Sequence, residues 1–122
     1  MSKFGELEAT VMDRMWNADA PRSVRAVMEE LQRERTIAYT TVMTVMERLF
    51  RKGMLNRVEE GRAYLYSPSR SRADYTAGLM AEALSHSRDT AATLVHFADR
   101  VSAREAKQLI KALSARSTRR GG

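Results

Sequence analysis

Apolar side chains recur at helical spacing along the first third of the chain and predict two helices there. The first covers residues 6–16, and Ser23 is a typical N-cap for a second helix over residues 24–33. The short β-favouring run at residues 36–38 predicts a single strand. The apolar face of the first helix comprises Leu7, Val11, Met15 and Trp16.

A third amphipathic helix is expected to start near Thr40 and to stop at Gly53, because glycine commonly follows the last turn of a helix. At about 100° per residue the helix has one packed face and one face of small polar and cationic side chains. The packed face comprises Val42, Met46, Leu49 and Phe50. The opposite face comprises Thr40, Thr44, Glu47, Arg48 and Arg51, with Thr41 at its margin.

Residues 54–58 and 63–66 predict two strands of a β-hairpin whose turn contains Gly61. Pro68 ends the second strand. The order helix, helix, short strand, helix and hairpin is that of a winged helix-turn-helix. In that fold the third helix enters the major groove of DNA and the hairpin, or wing, contacts the backbone beside it.

The rest of the chain predicts three more helices, over residues 72–85, 90–100 and 103–115, and Ser102 with Glu105 forms a capping-box pattern before the last. The fold class is therefore mainly α with a small β-wing. We expect a DNA-binding domain over residues 1–70, a helical dimerisation region over 71–116 and a flexible tail over 117–122. The apolar positions that a second chain would cover are Leu79, Met80, Leu84, Leu94, Phe97, Leu109, Ile110 and Leu113. A compact monomeric helical cap is the alternative.

Charge is unevenly distributed along the 122 residues. Residues 1–39 carry six basic and seven acidic side chains, whereas residues 40–73 carry seven basic and three acidic ones. This excess indicates a polyanionic partner, although net charge alone is equally compatible with a role in solubility. The chain lacks cysteine, a run of 18 apolar residues and a signal-peptide pattern, which predicts a cytoplasmic protein with no membrane segment.

The cationic face of the third helix has the chemistry needed to read DNA. Threonine hydroxyls donate and accept hydrogen bonds, and their methyl groups can contact thymine. Arg48 can reach a guanine edge or a phosphate, and cations at the helix end and at the wing tip suit phosphates. For each single residue, capping, packing or solvation is an equal alternative. The predicted DNA contacts are Tyr39, Thr40, Thr41, Thr44, Arg48, Arg51, Lys52 and Arg62.

Several motifs in order resemble the penicillinase and methicillin-resistance repressors, the BlaI/MecI family of bacterial transcription regulators. The resemblance extends from about Gly5 to Pro68. It rests on Gly5-Glu6-Leu7-Glu8 with Val11-Met12 and Trp16, on Ala38-Tyr39-Thr40-Thr41-Val42-Met43-Thr44 with Arg48-Leu49, on Lys52-Gly53, and on Glu60-Gly61-Arg62 with Tyr64 and Tyr66.

The resemblance implies a homodimeric repressor of β-lactamase-type resistance genes that binds a palindromic operator, often with TACA/TGTA half-site cores. It also implies a regulatory protease as a partner, because family repressors are cleaved at an Asn-Phe bond in the dimerisation region. The corresponding bond here is Asp89-Thr90, so that cleavage site is not carried over. The cysteine-based metal site of the copper-responsive branch is excluded, because the chain has no cysteine.

Catalytic motifs are missing from the sequence, which predicts a protein that is not an enzyme and has no cofactor. His86 and His96 lie ten residues apart and lack the i, i+4 spacing of two metal ligands on one helical face, so no metal site is predicted. The alternative function is a winged-helix protein–protein adaptor without specific DNA binding. The basic recognition face argues against this alternative, because an adaptor does not need one.

Overall fold

The computed structural model describes residues 4–121 and divides the chain into two compact units, Met1–Leu79 and Met80–Gly122. The predicted mainly α fold with a small β-wing is confirmed. The unit boundary falls inside the fourth helix. The elements are α1 Glu6–Asn17, α2 Val24–Leu31, α3 Tyr39–Arg51, β1 Leu55–Glu60, β2 Ala63–Pro68, α4 Arg72–Ser85, α5 Thr90–Ala98 and α6 Ala103–Gly121.

The core of the first unit lies where α1, α2 and α3 meet beneath the hairpin. Val11, Val27, Val42 and Leu49 have no exposed surface, and Tyr66 from β2 closes the core on the side of the wing. Met12 also belongs to the core, as does Val45, which was not predicted for the packed face of α3. Burial of these apolar faces stabilises three short helices that would be marginal in isolation.

The predicted strand at residues 36–38 is wrong. The segment that pairs with the hairpin is instead at Arg22. Its backbone forms an isolated antiparallel bridge with Tyr66 of β2 through two hydrogen bonds of 2.8 Å. At Ile37 the backbone carbonyl instead accepts a hydrogen bond from the Gln32 side chain at 3.0 Å. Residues 36–38 thus lie in an irregular connection, where a nearby side chain satisfies the Ile37 carbonyl.

Two of the predicted helix ends are confirmed by their hydrogen bonds. The Ser23 hydroxyl accepts from the Ala26 amide at 3.1 Å, and Ser102 and Glu105 form the reciprocal capping box before α6. The predicted end of the last helix at residue 115 is wrong, because α6 continues to Gly121. No glycine or proline occurs between Ser102 and Gly121 to stop it. The end of the predicted flexible tail, residue 122, lies outside the described residues.

An aromatic cluster fixes the first turn of α4 within the first unit. Tyr75 stacks on Phe4 with ring centroids 4.9 Å apart and packs against Trp16 at 5.5 Å. The Trp16 indole nitrogen donates to the Arg70 carbonyl at 2.9 Å, and Arg72 forms a 2.7 Å ion pair with Asp13. These contacts join α1 to the segment that follows the wing.

Candidate nucleic-acid interface

The exposed face of α3 carries the polar side chains that the sequence predicts there, together with Met43. Because Val42, Val45, Met46 and Leu49 point into the core, the intervening positions face solvent. The exposed polar residues of the face are Thr40, Thr41, Thr44, Arg48 and Arg51, and Tyr39 at the start of the helix is also exposed.

The N-terminus of α3 has no side-chain cap. Its N-cap residue is Ala38, and Thr40 lies within the first turn of the helix. The first amides of α3 therefore lack a side-chain acceptor and lie beside three exposed hydroxyl-bearing residues. Such a helix terminus is a suitable place for a phosphate.

The C-terminal end of α3 carries two cations in different surroundings. Arg51 donates to Glu47 at 2.6 Å across one helical turn, in an exposed pair of the kind that contributes little to stability. Lys52, the C-cap residue, lies 2.9 Å from Oε1 of Glu8, a carboxylate that is only 6% exposed. Gly53 follows with φ of +80°, which ends the helix as expected.

Glu8 remains ionised despite its burial. Desolvation raises the pKa of this carboxyl, but the Gly5 amide, the Lys52 ammonium and the positive charge of Arg48 together lower the pKa below its ordinary value. The Gly5 amide donates to the same oxygen at 2.9 Å. Glu8 had no predicted role of its own, because its partner lies 44 residues away along the chain.

The wing is a two-stranded antiparallel hairpin that pairs Glu60 with Ala63, leaving Gly61 and Arg62 in the turn. Gly61 has φ of +63°, a conformation that favours glycine. Arg62 is exposed at this tip, as the sequence predicts.

A groove between α3 and the wing contains residues that sequence reasoning missed. Arg57 lies between the rings of Phe50 and Tyr64, 4.1 Å from each centroid, and its hydrogen bond with the Tyr66 hydroxyl raises the pKa of its guanidinium. Further along the groove lie exposed Arg25, from the first turn of α2, and Met43. Periodicity within one element could not identify these residues, because the groove is assembled from three elements.

The second unit exposes apolar side chains on all three of its helical segments. Met80, Leu94, Ile110 and Leu113 are each about half exposed or more, at 54%, 47%, 63% and 51%. Of the other predicted interface positions, Phe97 and Leu109 are exposed, and Leu79 and Leu84 are half-buried. A shallow apolar groove between the end of α4 and α5 is lined mainly by Met80, Leu84, Leu94 and Phe97.

Within residues 4–121, no group of three His, Cys, Asp or Glu side chains is arranged to hold a metal ion. No helix of the described chain is both long enough and apolar enough to cross a membrane.

The three-helix core, the exposed basic face of α3 and the adjoining wing define a winged helix-turn-helix DNA-binding protein. The penicillinase repressor family model matches residues 4–115. The chain therefore belongs to the penicillinase repressor family and is a DNA-binding transcriptional repressor, not an enzyme. This finding confirms the resemblance drawn from the sequence motifs.

Relatives and solved structures agree with that assignment. The transcriptional regulator BlaI of Mycobacterium tuberculosis is 43% identical over 117 residues, which cover 93% of this chain and 85% of the relative. The penicillinase repressor of Bacillus licheniformis is 32% identical over 73 residues, covering 60% of this chain and 56% of that protein.

Two solution structures each resemble about 60% of the chain. The DNA-binding domain of the repressor BlaI has a TM-score of 0.53 at 32% identity, covering 60% of this chain and 88% of that one. The monomeric form of Bacillus licheniformis BlaI, solved in complex with the blaP half-operator, has a TM-score of 0.50 at 31% identity. Its alignment covers 61% of this chain and 89% of that structure.

Proposed function

We propose that this protein is a homodimeric repressor that binds an inverted-repeat operator in double-stranded DNA, with one winged unit on each half-site. The exposed threonine and arginine face of α3 carries the proposal, because it has the dimensions and donors of a major-groove reading helix. The complex of the Bacillus licheniformis relative with a half-operator supports it. By the same relationship, the regulated genes are those of β-lactamase-type resistance.

The proposed DNA surface follows α3 from end to end and continues onto the wing. Thr44 and Arg48, in the middle of the helix, read base edges, whereas residues at either end and at the wing tip contact phosphates. Lys52 also lies on this surface, but its ammonium is already paired with the buried carboxylate of Glu8. The remaining proposed contacts are Tyr39, Thr40, Thr41, Arg51 and Arg62.

Dimerisation is proposed through the second unit. The apolar side chains of α4, α5 and α6 remain exposed in the single chain, and a second copy of the chain would cover them. Two linked winged units would bind two half-sites together, which raises operator affinity above that of one unit.

A regulatory protease is proposed as a further partner, and the connection before α5 as its point of access. His86, Arg88 and Asp89 are exposed there, and the Asp89 side chain caps α5 by accepting from the Ala92 amide at 3.0 Å. Because promoter DNA is the proposed ligand, we propose a cytoplasmic location.

Selection of genomic DNA fragments on the purified protein at about 150 mM salt tests the function, because nonspecific binding is weak there. We expect enrichment of an inverted repeat with half-sites about one or two helical turns apart. Failure of the folded protein to enrich any motif would contradict the proposed operator binding and favour the adaptor alternative.

Replacing Thr44 and Arg48 by alanine tests the reading face directly. Each Thr44→Ala or Arg48→Ala change is expected to weaken operator binding by about 1–3 kcal/mol, roughly fivefold to 150-fold, with little effect on random-sequence DNA. Fluorescence anisotropy with both duplexes measures the two affinities. Arg33→Ala, an exposed arginine beyond α2, is the control for loss of one positive charge.

An equal loss of affinity on both duplexes would contradict base reading and would assign these side chains to phosphates alone.

A further inference from the structure

Glu8 is the most deeply buried charged side chain near the proposed DNA surface. Its Oε1 accepts hydrogen bonds from the Gly5 amide and the Lys52 ammonium, both at 2.9 Å. Its Oε2 is buried and has no hydrogen-bond partner among the described residues. A carboxylate in this position requires nearby positive charge, because burial without it carries a large desolvation cost.

The positive charge that Glu8 uses belongs to the recognition helix. Lys52 is the C-cap of α3, and Arg48 lies one turn earlier, close enough for its charge to lower the pKa of Glu8. Glu8, Arg48 and Thr44 line the same groove between the start of α1 and α3. One negative charge is therefore fixed beside the cations that would meet DNA.

Such a fixed charge affects the two kinds of DNA binding differently. Nonspecific affinity comes from phosphates that the protein neutralises and from the counterions thereby released. A lysine whose charge is already balanced by a nearly buried carboxylate adds little to that release. Specific affinity also depends on hydrogen bonds and methyl contacts to base edges, which this pairing does not reduce.

We infer that Glu8 is a specificity-determining residue, which neutralises Lys52 at the end of the recognition helix and thereby weakens binding to nonspecific DNA. The inference rests on the proposed operator binding. It assigns Lys52 a positioning role, joining the end of α3 to the start of α1, in place of the phosphate contact expected from the sequence.

The substitution Glu8→Gln in the full chain tests this inference, because glutamine keeps the size and can still accept from the Gly5 amide. Affinity for a random-sequence duplex is expected to rise about three- to fivefold. The slope of log K against log salt is expected to steepen by about 0.9, the value of one phosphate contact. The operator-to-random affinity ratio should fall.

Glu29→Gln is the matched control, since it removes the same charge from an exposed position on α2. Equal shifts in the two variants would show a general effect of net charge and would overturn the inference. No change in Glu8→Gln would overturn it as well.

A second pair of variants, Arg51→Met and Lys52→Met, compares neighbouring cations at the end of α3. Arg51 pairs with Glu47 at the surface, where its own side chain is 75% exposed and can reach a phosphate, so its loss should flatten the salt slope by about 0.9. Loss of Lys52 should flatten the slope clearly less than loss of Arg51, because the Lys52 charge is already balanced by Glu8. Equal flattening in both variants would show that Lys52 contacts phosphate and would overturn the inference, even if Glu8→Gln failed to fold.

The two proposals fail in different ways. A wild-type protein that binds operator and random DNA equally would contradict the proposed function. Unchanged random-DNA binding in Glu8→Gln, with wild-type operator preference intact, would contradict only the role of Glu8.

Discussion

At the scale of single residues, Arg57 illustrates how the wing is held against the recognition helix. Its guanidinium lies 4.1 Å from the ring centroids of Phe50 on α3 and Tyr64 on β2. Both contacts are cation–π interactions, in which the electron-rich ring face attracts the positive charge. The planar guanidinium suits two flanking rings better than the ammonium of a lysine. Arg57 thus joins the two elements that would contact DNA.

Glu8 leads to a prediction about pH. Its pKa is lowered in the folded protein, so ionised Glu8 stabilises the fold above the ordinary glutamate value of about 4.3, and this contribution disappears as pH falls through the lower folded value. The difference in free energy of unfolding between wild type and Glu8→Gln should therefore be largest above about pH 5 and shrink towards pH 3. Urea unfolding at a series of pH values measures it.

A difference that stays constant over that pH range would show that Glu8 has the same pKa in the folded and unfolded chains.

At the scale of elements, the ends of helices depend on backbone conformation. Gly53 after α3 has φ of +80°, and an added Cβ there would meet no atom within 4 Å, so only backbone strain opposes a side chain. Gly78 lies within α4 and is also surrounded by open space. The two glycines therefore differ in backbone conformation and not in crowding.

Gly53→Ala is expected to lower the free energy of unfolding by about 1–2 kcal/mol, because alanine disfavours a positive φ. Gly78→Ala should raise it by about 0.5–1 kcal/mol, because alanine favours the helix. Thermal and urea denaturation of both variants provide the measurement. Destabilisation by Gly78→Ala would indicate that position 78 meets another surface.

At the scale of the whole molecule, the exposed apolar side chains of the second unit determine the expected assembly. Ile110 on α6 is 63% exposed, and Leu113 lies one turn further on the same face. Ile110→Glu would place a charge in the proposed dimer interface, and we expect the dimer dissociation constant to rise about tenfold or more. Sedimentation equilibrium measures this change.

Gln108→Glu, which introduces the same charge at another exposed position of α6, is the control. It should leave the dimer intact. If both variants keep the wild-type mass, the apolar face of α6 is not the interface.

Sequence patterns predicted most of the elements because each pattern arises within one segment. Helical periodicity gave α1, α2 and α3, the glycine at position 61 gave the hairpin turn, and the start and end of α4 agree with the prediction. The polar face of α3 could likewise be assigned, because the residues that pack and those that face solvent alternate along one helix.

Tertiary structure decided the features that join distant segments. Arg22, and not residues 36–38, pairs with the wing, because the fold brings its backbone within hydrogen-bond distance of Tyr66. Glu8 pairs with Lys52, and Arg57 packs against the rings of Phe50 and Tyr64. Each contact joins different elements, so no pattern within one element predicts it. The sequence by itself determined the elements and the exposed chemistry of α3. Only packing decided which charges are balanced, because an ion pair depends on distances between side chains in the folded chain.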